Sequence, residues 1–457
     1  MGSAILAAMH HYDDATDELA WNVFRYALNR VRLDPPPLDG PRTPEELQAA
    51  VGPTITPEGL GGARALELFA DELAPACISN DHPRFLSFVP AAPTEAAALF
   101  DVVVGASSLF GGTWLEGAGA VHAENETLRW IADLAGLPAG AGGVFVSGGT
   151  SANLSALVAA RHSARLARDV QPQRWAIIGA VSAHSSIESA AAVMDVDAIL
   201  APVDEHRRLT GDAVRAALDS LPENTAACAV VATSGTTNLG IVDDLASISE
   251  ACRERGIWFH VDGAYGGAAL AAKSHRPLFA GIENADSFIV DPHKWLFAPF
   301  DCAALLYRNP EQGRAAHTQH AAYLDPINSR DEWNPSDYAH ILSRRARGLP
   351  LWFSLATYGT EAYETAIEHT LSVSAEIAQR IEANPNLELI CPPQLSTVAF
   401  RRRGWKIDDY ERWSTRLRES GQAFVTPTTV DDAPALRFCI INPRTTIEGL
   451  QAILDTL

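Results

Sequence analysis

Between residues 144 and 307, short apolar runs alternate with stretches of helical periodicity. Residues 144–147, 175–181, 198–203 and 226–233 are predicted strands, and predicted helices follow them at 151–167, from 185, at 212–221 and at 245–255. Residues 258–261, 287–290 and 303–307 add further strands. Continuous β-rich runs separated by helices imply βα units and a mostly parallel central sheet covered on both faces.

The two ends of the chain read differently. Residues 13–31, 44–51 and 66–76 have helical character but are interrupted by Pro35-Pro36-Pro37, which cannot continue a helix. This N-terminal helical segment, 1–75, has little core of its own and is expected to pack on a second subunit. Residues 76–345 form the expected large α/β domain. Its final part, 321–339, is polar and rich in Pro and Asn and reads as a long loop, a feature that is usually functional. Beyond it lie a long predicted helix at 349–381 with Gly359 inside it, strands at 387–391, 397–400 and 435–441, and helices at 410–420 and 447–454. Residues 346–457 are therefore expected to form a small α+β domain.

Composition narrows the function. The chain has 457 residues, 47% of them hydrophobic and 20% charged, enough to bury a large core. Its formal net charge of −21 argues against nucleic-acid and anionic-membrane partners, which need basic patches. The first residues lack the basic and apolar regions of a signal peptide, so a cytoplasmic protein is expected. The six cysteines are scattered with no C-x-x-C pair, which points to reduced thiols rather than a zinc or redox site. Nearly every basic residue is Arg. Lys273, Lys294 and Lys406 are the only lysines, and the first and last lie in polar surroundings.

Four motifs carry candidate chemistry. Lys294, in Asp291-Pro292-His293-Lys294-Trp295, follows an apolar strand and precedes Leu296-Phe297. An apolar setting lowers a lysine pKa and yields the free amine that attacks a carbonyl; a lysine at a strand end can also be a surface side chain. Asp262, in His260-Val261-Asp262-Gly263-Ala264-Tyr265, closes a predicted central strand, where α/β sheets bind ligands. A carboxylate there can pair with a protonated pyridine nitrogen, cap a helix or bind a metal, and no further carboxylates or histidines stand at metal-ligand spacing. Ser147-Gly148-Gly149-Thr150-Ser151-Ala152-Asn153 lies between a strand and a helix. Its glycines, hydroxyls and free N–H groups suit a phosphate, although such a turn is common. The motif matches neither the P-loop nor the dinucleotide fingerprint. His184, in Ser182-Ala183-His184-Ser185-Ser186, could stack on a planar ring or simply stand near a helix start. Together with the hydroxyls of Ser234-Gly235-Thr236-Thr237, these groups fall at strand ends of one predicted sheet.

The order of these motifs, and H-V-D-x-A-Y followed by P-H-K-W above all, resembles the group II pyridoxal-phosphate (PLP)-dependent amino acid decarboxylases, most closely their aromatic L-amino acid branch. The resemblance implies PLP fold type I, the aspartate aminotransferase-like fold, and a homodimer with its active site at the subunit interface. It implies that Lys294 carries the cofactor covalently, Asp262 pairs with the pyridine nitrogen and His184 stacks on the ring. Gly149, Thr150 and Ser151 would hold the phosphate, with Thr237, Ala264, Asp291 and His293 also facing the cofactor. Tyr323, in Ala321-Ala322-Tyr323-Leu324, matches a mobile-loop tyrosine that returns a proton to Cα. Phe88, Val89, Pro90, Phe110 and Trp114 are the expected substrate wall.

Two positions depart from the branch. Asp291 stands where Asn is usual, which puts a carboxylate beside the expected phosphate, and Glu116 stands among small residues near Trp114, either as a structural carboxylate or facing the pocket. The implied reaction is decarboxylation of an L-amino acid, aromatic or otherwise apolar, to its amine. The alternatives are a decarboxylating aldehyde synthase, a PLP carbon–carbon lyase or a silent homologue; retention of Tyr323 and His184 ranks the first of these behind.

Overall fold

The central strands alternate side chains toward two different cores. Ile178, Val230, Val261 and Phe288 point to one face of a sheet, and Ile177, Ala229, Val231 and Ile289 to the other. Both faces are buried, which is why the strands read as predominantly apolar runs without polar alternation. The computed structural model describes residues 9–324, 327 and 332–457.

The sheet contains seven strands: β1 (Gly142–Val146), β2 (Arg174–Ala180), β3 (Asp197–Ala201), β4 (Thr225–Thr233), β5 (Trp258–Asp262), β6 (Ser287–Val290) and β7 (Ala303–Tyr307). Their spatial order is β1-β7-β6-β5-β4-β2-β3. β7 is antiparallel to both β1 and β6, and the other pairings are parallel. Six strands therefore run in one direction, and their C-terminal ends open on one edge. The mostly parallel α/β sheet expected from the pattern is the one observed, and it agrees with the PLP fold type I that the resemblance implies.

Two helices, Glu95–Ser107 and Trp114–Leu134, precede β1 where the periodicity had not singled any out. The second is anchored by a buried ion pair, Arg344 Nη1 to Glu124 Oε2 at 2.8 Å. The long helix expected over 349–381 is instead two helices, Leu349–Tyr358 and Thr360–Ala383. Gly359 separates them at φ 77°, a conformation that a helix interior does not contain.

The C-terminal sheet is antiparallel, in the order β10-β11-β9-β8, from β8 (Leu387–Leu389), β9 (Thr397–Arg402), β10 (Pro427–Val430) and β11 (Ala433–Cys439). β10 was not anticipated; its Pro427-Thr428-Thr429 carries no apolar run. A segment from early in the chain joins this layer. Leu86 donates its N–H to Phe424 O, accepts from Cys439 N, and packs into the C-terminal core.

At the N-terminus, the helix Asp14–Val31 buries none of its residues, and Trp21, Phe24 and Leu28 are exposed. Among the described residues, no helix is long and apolar enough to cross a membrane.

Candidate active site

Because six strands share a direction, the turns after β1, β2, β4, β5 and β6 converge on one edge. They enclose a cleft of ≈ 400 Å³ whose lining includes Gly149, Thr150, His184, Thr237, Asp262, Ala264, Asp291, His293 and Lys294. Phe88 and Val89 form an apolar wall of the same cleft.

Asp262 ends β5 and is buried. Its Oδ2 accepts from Asn153 Nδ2 at 2.9 Å, and its Oδ1 accepts from the Ala264 N–H at 3.0 Å. Two donors thus hold the carboxylate at a strand end with lone pairs left for a ligand N–H.

The strand-to-helix turn after β1 starts the helix Gly149–Leu166, which has no side-chain cap at Gly148. The Gly149 N–H is taken by Asp291, and the Thr150 and Ser151 N–H groups that follow it are uncapped and available to an anion. A Cβ on Gly149 would lie 3.0 Å from Asp291 Oδ2 and 3.2 Å from the Ala264 Cβ, so glycine is what leaves the cradle open. Ser151 does not line the cleft, but its hydroxyl is buried without a hydrogen-bond partner, as expected of a group that awaits an acceptor.

After β6, the turn Pro292–Trp295 presents Lys294, whose Nζ is 2.9 Å from Asp291 Oδ2. Burial is the largest single effect and pushes the ammonium pKa down, but the charge and hydrogen bond of Asp291, with Asp262 nearby, together leave it above its ordinary value. The expectation of a lowered pKa is therefore corrected: the apolar neighbours are real, and the nearby carboxylates together more than offset them. Asp291 also accepts from the Gly149 N–H at 3.2 Å, while its Oδ1 is buried and unpartnered. His293 is buried with Nδ1 2.7 Å from Cys302 O, and burial holds its pKa below the usual histidine value.

Several expected residues stand elsewhere. Pro90 is buried behind the wall, and neither Phe110 nor Trp114 lines the cleft of its own chain. Phe110 instead forms a backbone bridge with Arg345, and Trp114 donates its N–H to Asn334 Oδ1. Glu116 is a structural carboxylate at a helix start: its N–H binds Thr113 Oγ1 and its Oε2 accepts from that same hydroxyl. The side chain of Tyr323 lies outside the described residues, although its backbone falls in the short turn Ala322–Leu324.

Other contributors were not singled out from sequence. Asn153 and Ser186 line the cleft at the ends of motifs quoted for other members. Tyr265 stacks on Trp295 at 5.3 Å, and its hydroxyl is 2.6 Å from Ser396 Oγ on the C-terminal layer. Gly235, at φ 108°, would bring a Cβ within 2.9 Å of Gly266 Cα. A hydrogen-bond partner that is distant in sequence leaves no periodic trace, so only the position of Asn153 beside the Gly-Gly-Thr turn could have drawn attention to it.

A lysine and a carboxylate at adjacent strand ends, with an uncapped helix start between them, define a fold type I PLP enzyme. The model of the pyridoxal-dependent decarboxylase conserved domain matches residues 57–403, and the chain belongs to that family. An aromatic-L-amino-acid decarboxylase of Bacillus atrophaeus is 30% identical over 387 residues, covering 82% of this chain and 80% of the relative. An L-2,4-diaminobutyrate decarboxylase of Rhizobium meliloti (strain 1021) is 32% identical over 410 residues, covering 87% and 82%. In fold, the chain is similar to the crystal structure of Oryza sativa TDC with PLP and tryptamine, with a TM-score of 0.90, 23% identity and 98% coverage of each chain. The protein is a PLP-dependent amino acid decarboxylase, and the residues present fit that cofactor.

Proposed function

We propose that the chain converts an L-amino acid with an aromatic or other apolar side chain into its amine and carbon dioxide. The observation that carries the apolar preference is the Phe88–Val89 wall of the cleft that Lys294 also lines, with Glu116 engaged at Thr113 instead of in the pocket. PLP supplies the electron sink for the charge left at Cα when carbon dioxide departs.

The chain's own residues do the rest. Lys294 holds the cofactor covalently. Asp262 accepts a hydrogen bond from the pyridine N–H and keeps that proton in place. His184 would lie against the ring, and the turn at Gly149, through the uncapped N–H groups of Thr150 and Ser151 and the Ser151 hydroxyl, would hold the phosphate. Thr237, Ala264, Asp291 and His293 surround the cofactor. The apolar wall excludes water, which favours release of a neutral molecule from a carboxylate. Tyr323 delivers the proton to Cα.

The working unit is a cytoplasmic homodimer. The exposed Trp21, Phe24 and Leu28 of the N-terminal helix, and Leu99, Val102 and Val103 of the helix Glu95–Ser107, offer apolar surface for a second subunit. In that arrangement residues 1–75 pack on the partner, 76–345 bind the cofactor, 346–457 form the small domain, and Phe110 and Trp114 reach the partner's cleft.

The test is an assay of carbon dioxide and amine over the twenty amino acids. Release from Trp, Tyr or Phe supports the reading, and exclusive turnover of diaminobutyrate overturns the apolar preference. Tyr323→Phe should still release carbon dioxide with a lowered amine yield. Aldehyde and peroxide from the parent enzyme would favour the synthase reaction instead. An active monomer in sedimentation would remove the shared site.

A further inference from the structure

Behind the cleft, a continuous buried chain of hydrogen bonds joins two site residues. Trp258 Nε1 lies 2.8 Å from Ser287 Oγ, which lies 2.7 Å from His260 Nδ1. The His260 Nε2 is 2.9 Å from Asn153 Oδ1. The Asn153 Nδ2 then reaches both Asp262 Oδ2 and Ser186 Oγ, each at 2.9 Å. Finally, Ser186 Oγ is 2.9 Å from His184 Nδ1.

The direction of every bond follows from the chemistry of the groups. A carboxylate only accepts, so the amide nitrogen of Asn153 faces Asp262 and its oxygen faces His260. His260 must therefore donate from Nε2. It is fully buried, and burial lowers its pKa to about 4, so the ring is neutral and its Nδ1 accepts from the Ser287 hydroxyl. Ser287 in turn accepts from the Trp258 N–H, which can only donate. On the other branch, Ser186 Oγ accepts from Asn153 and gives its own proton to His184 Nδ1. The Ser186 backbone N–H also points at that nitrogen, at 3.1 Å. The Nδ1 of His184 is thus an acceptor twice over, and the ring proton sits on Nε2, on the cleft side.

We propose that Asn153 is a positioning residue that aims Asp262 at the cofactor nitrogen and, through Ser186, fixes His184 as the Nε2–H tautomer. The proposal rests on the reading of His184 and Asp262 as cofactor-facing groups. Its consequence is that one amide sets both the proton at the ring nitrogen and the donor that the cleft histidine presents. Space-filling alone would make the near-isosteric Asp the mildest replacement at 153. The polarity of the relay makes it the worst, because Asp supplies no donor and sets a second carboxylate against Asp262.

The experiment compares Asn153→Asp, Asn153→Ala and Ser186→Ala, all first shown to be folded by near-ultraviolet circular dichroism. PLP affinity is read from absorbance titration of the apoenzyme and needs no turnover; kcat and KM are read on the loaded dimer. Asn153→Ala should weaken PLP binding roughly ten- to a hundredfold, the worth of one hydrogen bond to a charged group, and Asn153→Asp should weaken it further. Ser186→Ala should leave PLP affinity within about twofold but lower kcat, and nitrogen NMR of labelled histidine should show loss of the single His184 tautomer. Equal or tighter PLP binding by Asn153→Asp than by Asn153→Ala would overturn the proposal. So would an unchanged His184 tautomer in Ser186→Ala. A parent that binds PLP but releases no carbon dioxide would instead overturn the proposed reaction and leave the affinity arm intact.

Discussion

Lys294 Nζ lies 2.9 Å from Asp291 Oδ2, so the side chain proposed to carry the cofactor is favoured as an ammonium by its neighbour one turn earlier. The same carboxylate also touches the first N–H of the helix proposed to receive the phosphate. One side chain thereby touches both the proposed covalent anchor and the proposed anion site.

Replacing that carboxylate tests both effects. Asp291→Asn removes the charge that raises the Lys294 pKa, so more of the lysine is a free amine near neutrality. The pH midpoint for PLP capture by apoenzyme, followed as growth of visible absorbance, should move to lower pH. PLP affinity should rise because a repulsion is lost. An unchanged midpoint would show that Asp291 does not govern the lysine.

Lys294→Ala should lower turnover by at least about a hundredfold. The protein should still bind PLP reversibly through the Gly149 turn and Asp262. Borohydride treatment followed by mass measurement should detect no covalent adduct in this variant and one per chain in the parent.

The buried pair Glu124–Arg344 is predicted to be costly to break. Both side chains are nearly inaccessible, and Glu124 also accepts from the Gly348 N–H at 2.8 Å. Glu124→Ala leaves a buried guanidinium without its counter-charge. Unfolding free energy from denaturant titration should fall by about 3–5 kcal/mol.

His317 supplies a pH test. It is buried against Ser155 O, at 3.0 Å from Nε2, and burial lowers its pKa to about 4. An unfolded chain protonates this histidine below its ordinary value, whereas the folded one resists until near pH 4. Stability attributable to the site is therefore complete above about pH 6.5 and declines as the pH falls from there. His317→Gln, which cannot titrate, should be less stable than the parent at pH 7.5. At pH 5 the gap should narrow by up to about 2 kcal/mol. A gap that stays constant between the two pH values would refute the assignment.

Much of this architecture is legible in the order of residues. The runs ending at Val146, Thr233, Val261 and Val290 are predominantly apolar because both sheet faces are covered, so strand identity and the parallel arrangement are readable locally. Lys294, Asp262 and the Gly148-Gly149 turn were readable as candidates because each stands directly after such a run, and a strand end is where chemistry collects. One glycine is tolerable inside a helix, so the sequence reads through Gly359; its φ of 77° ends one helix and begins the next.

Folding settled the rest, because electrostatics and hydrogen bonding depend on distances across the chain. The apolar residues beside Lys294 suggested a depressed pKa, and the turn that brings Asp291 to 2.9 Å reverses its direction. Asn153, His260 and Ser287 lie on three separate elements with no shared periodicity, yet they meet in one buried relay behind Asp262. Periodicity records which side chains leave water; it carries no record of which polar atoms they meet once inside, and that pairing is made only when distant strands and helices pack together.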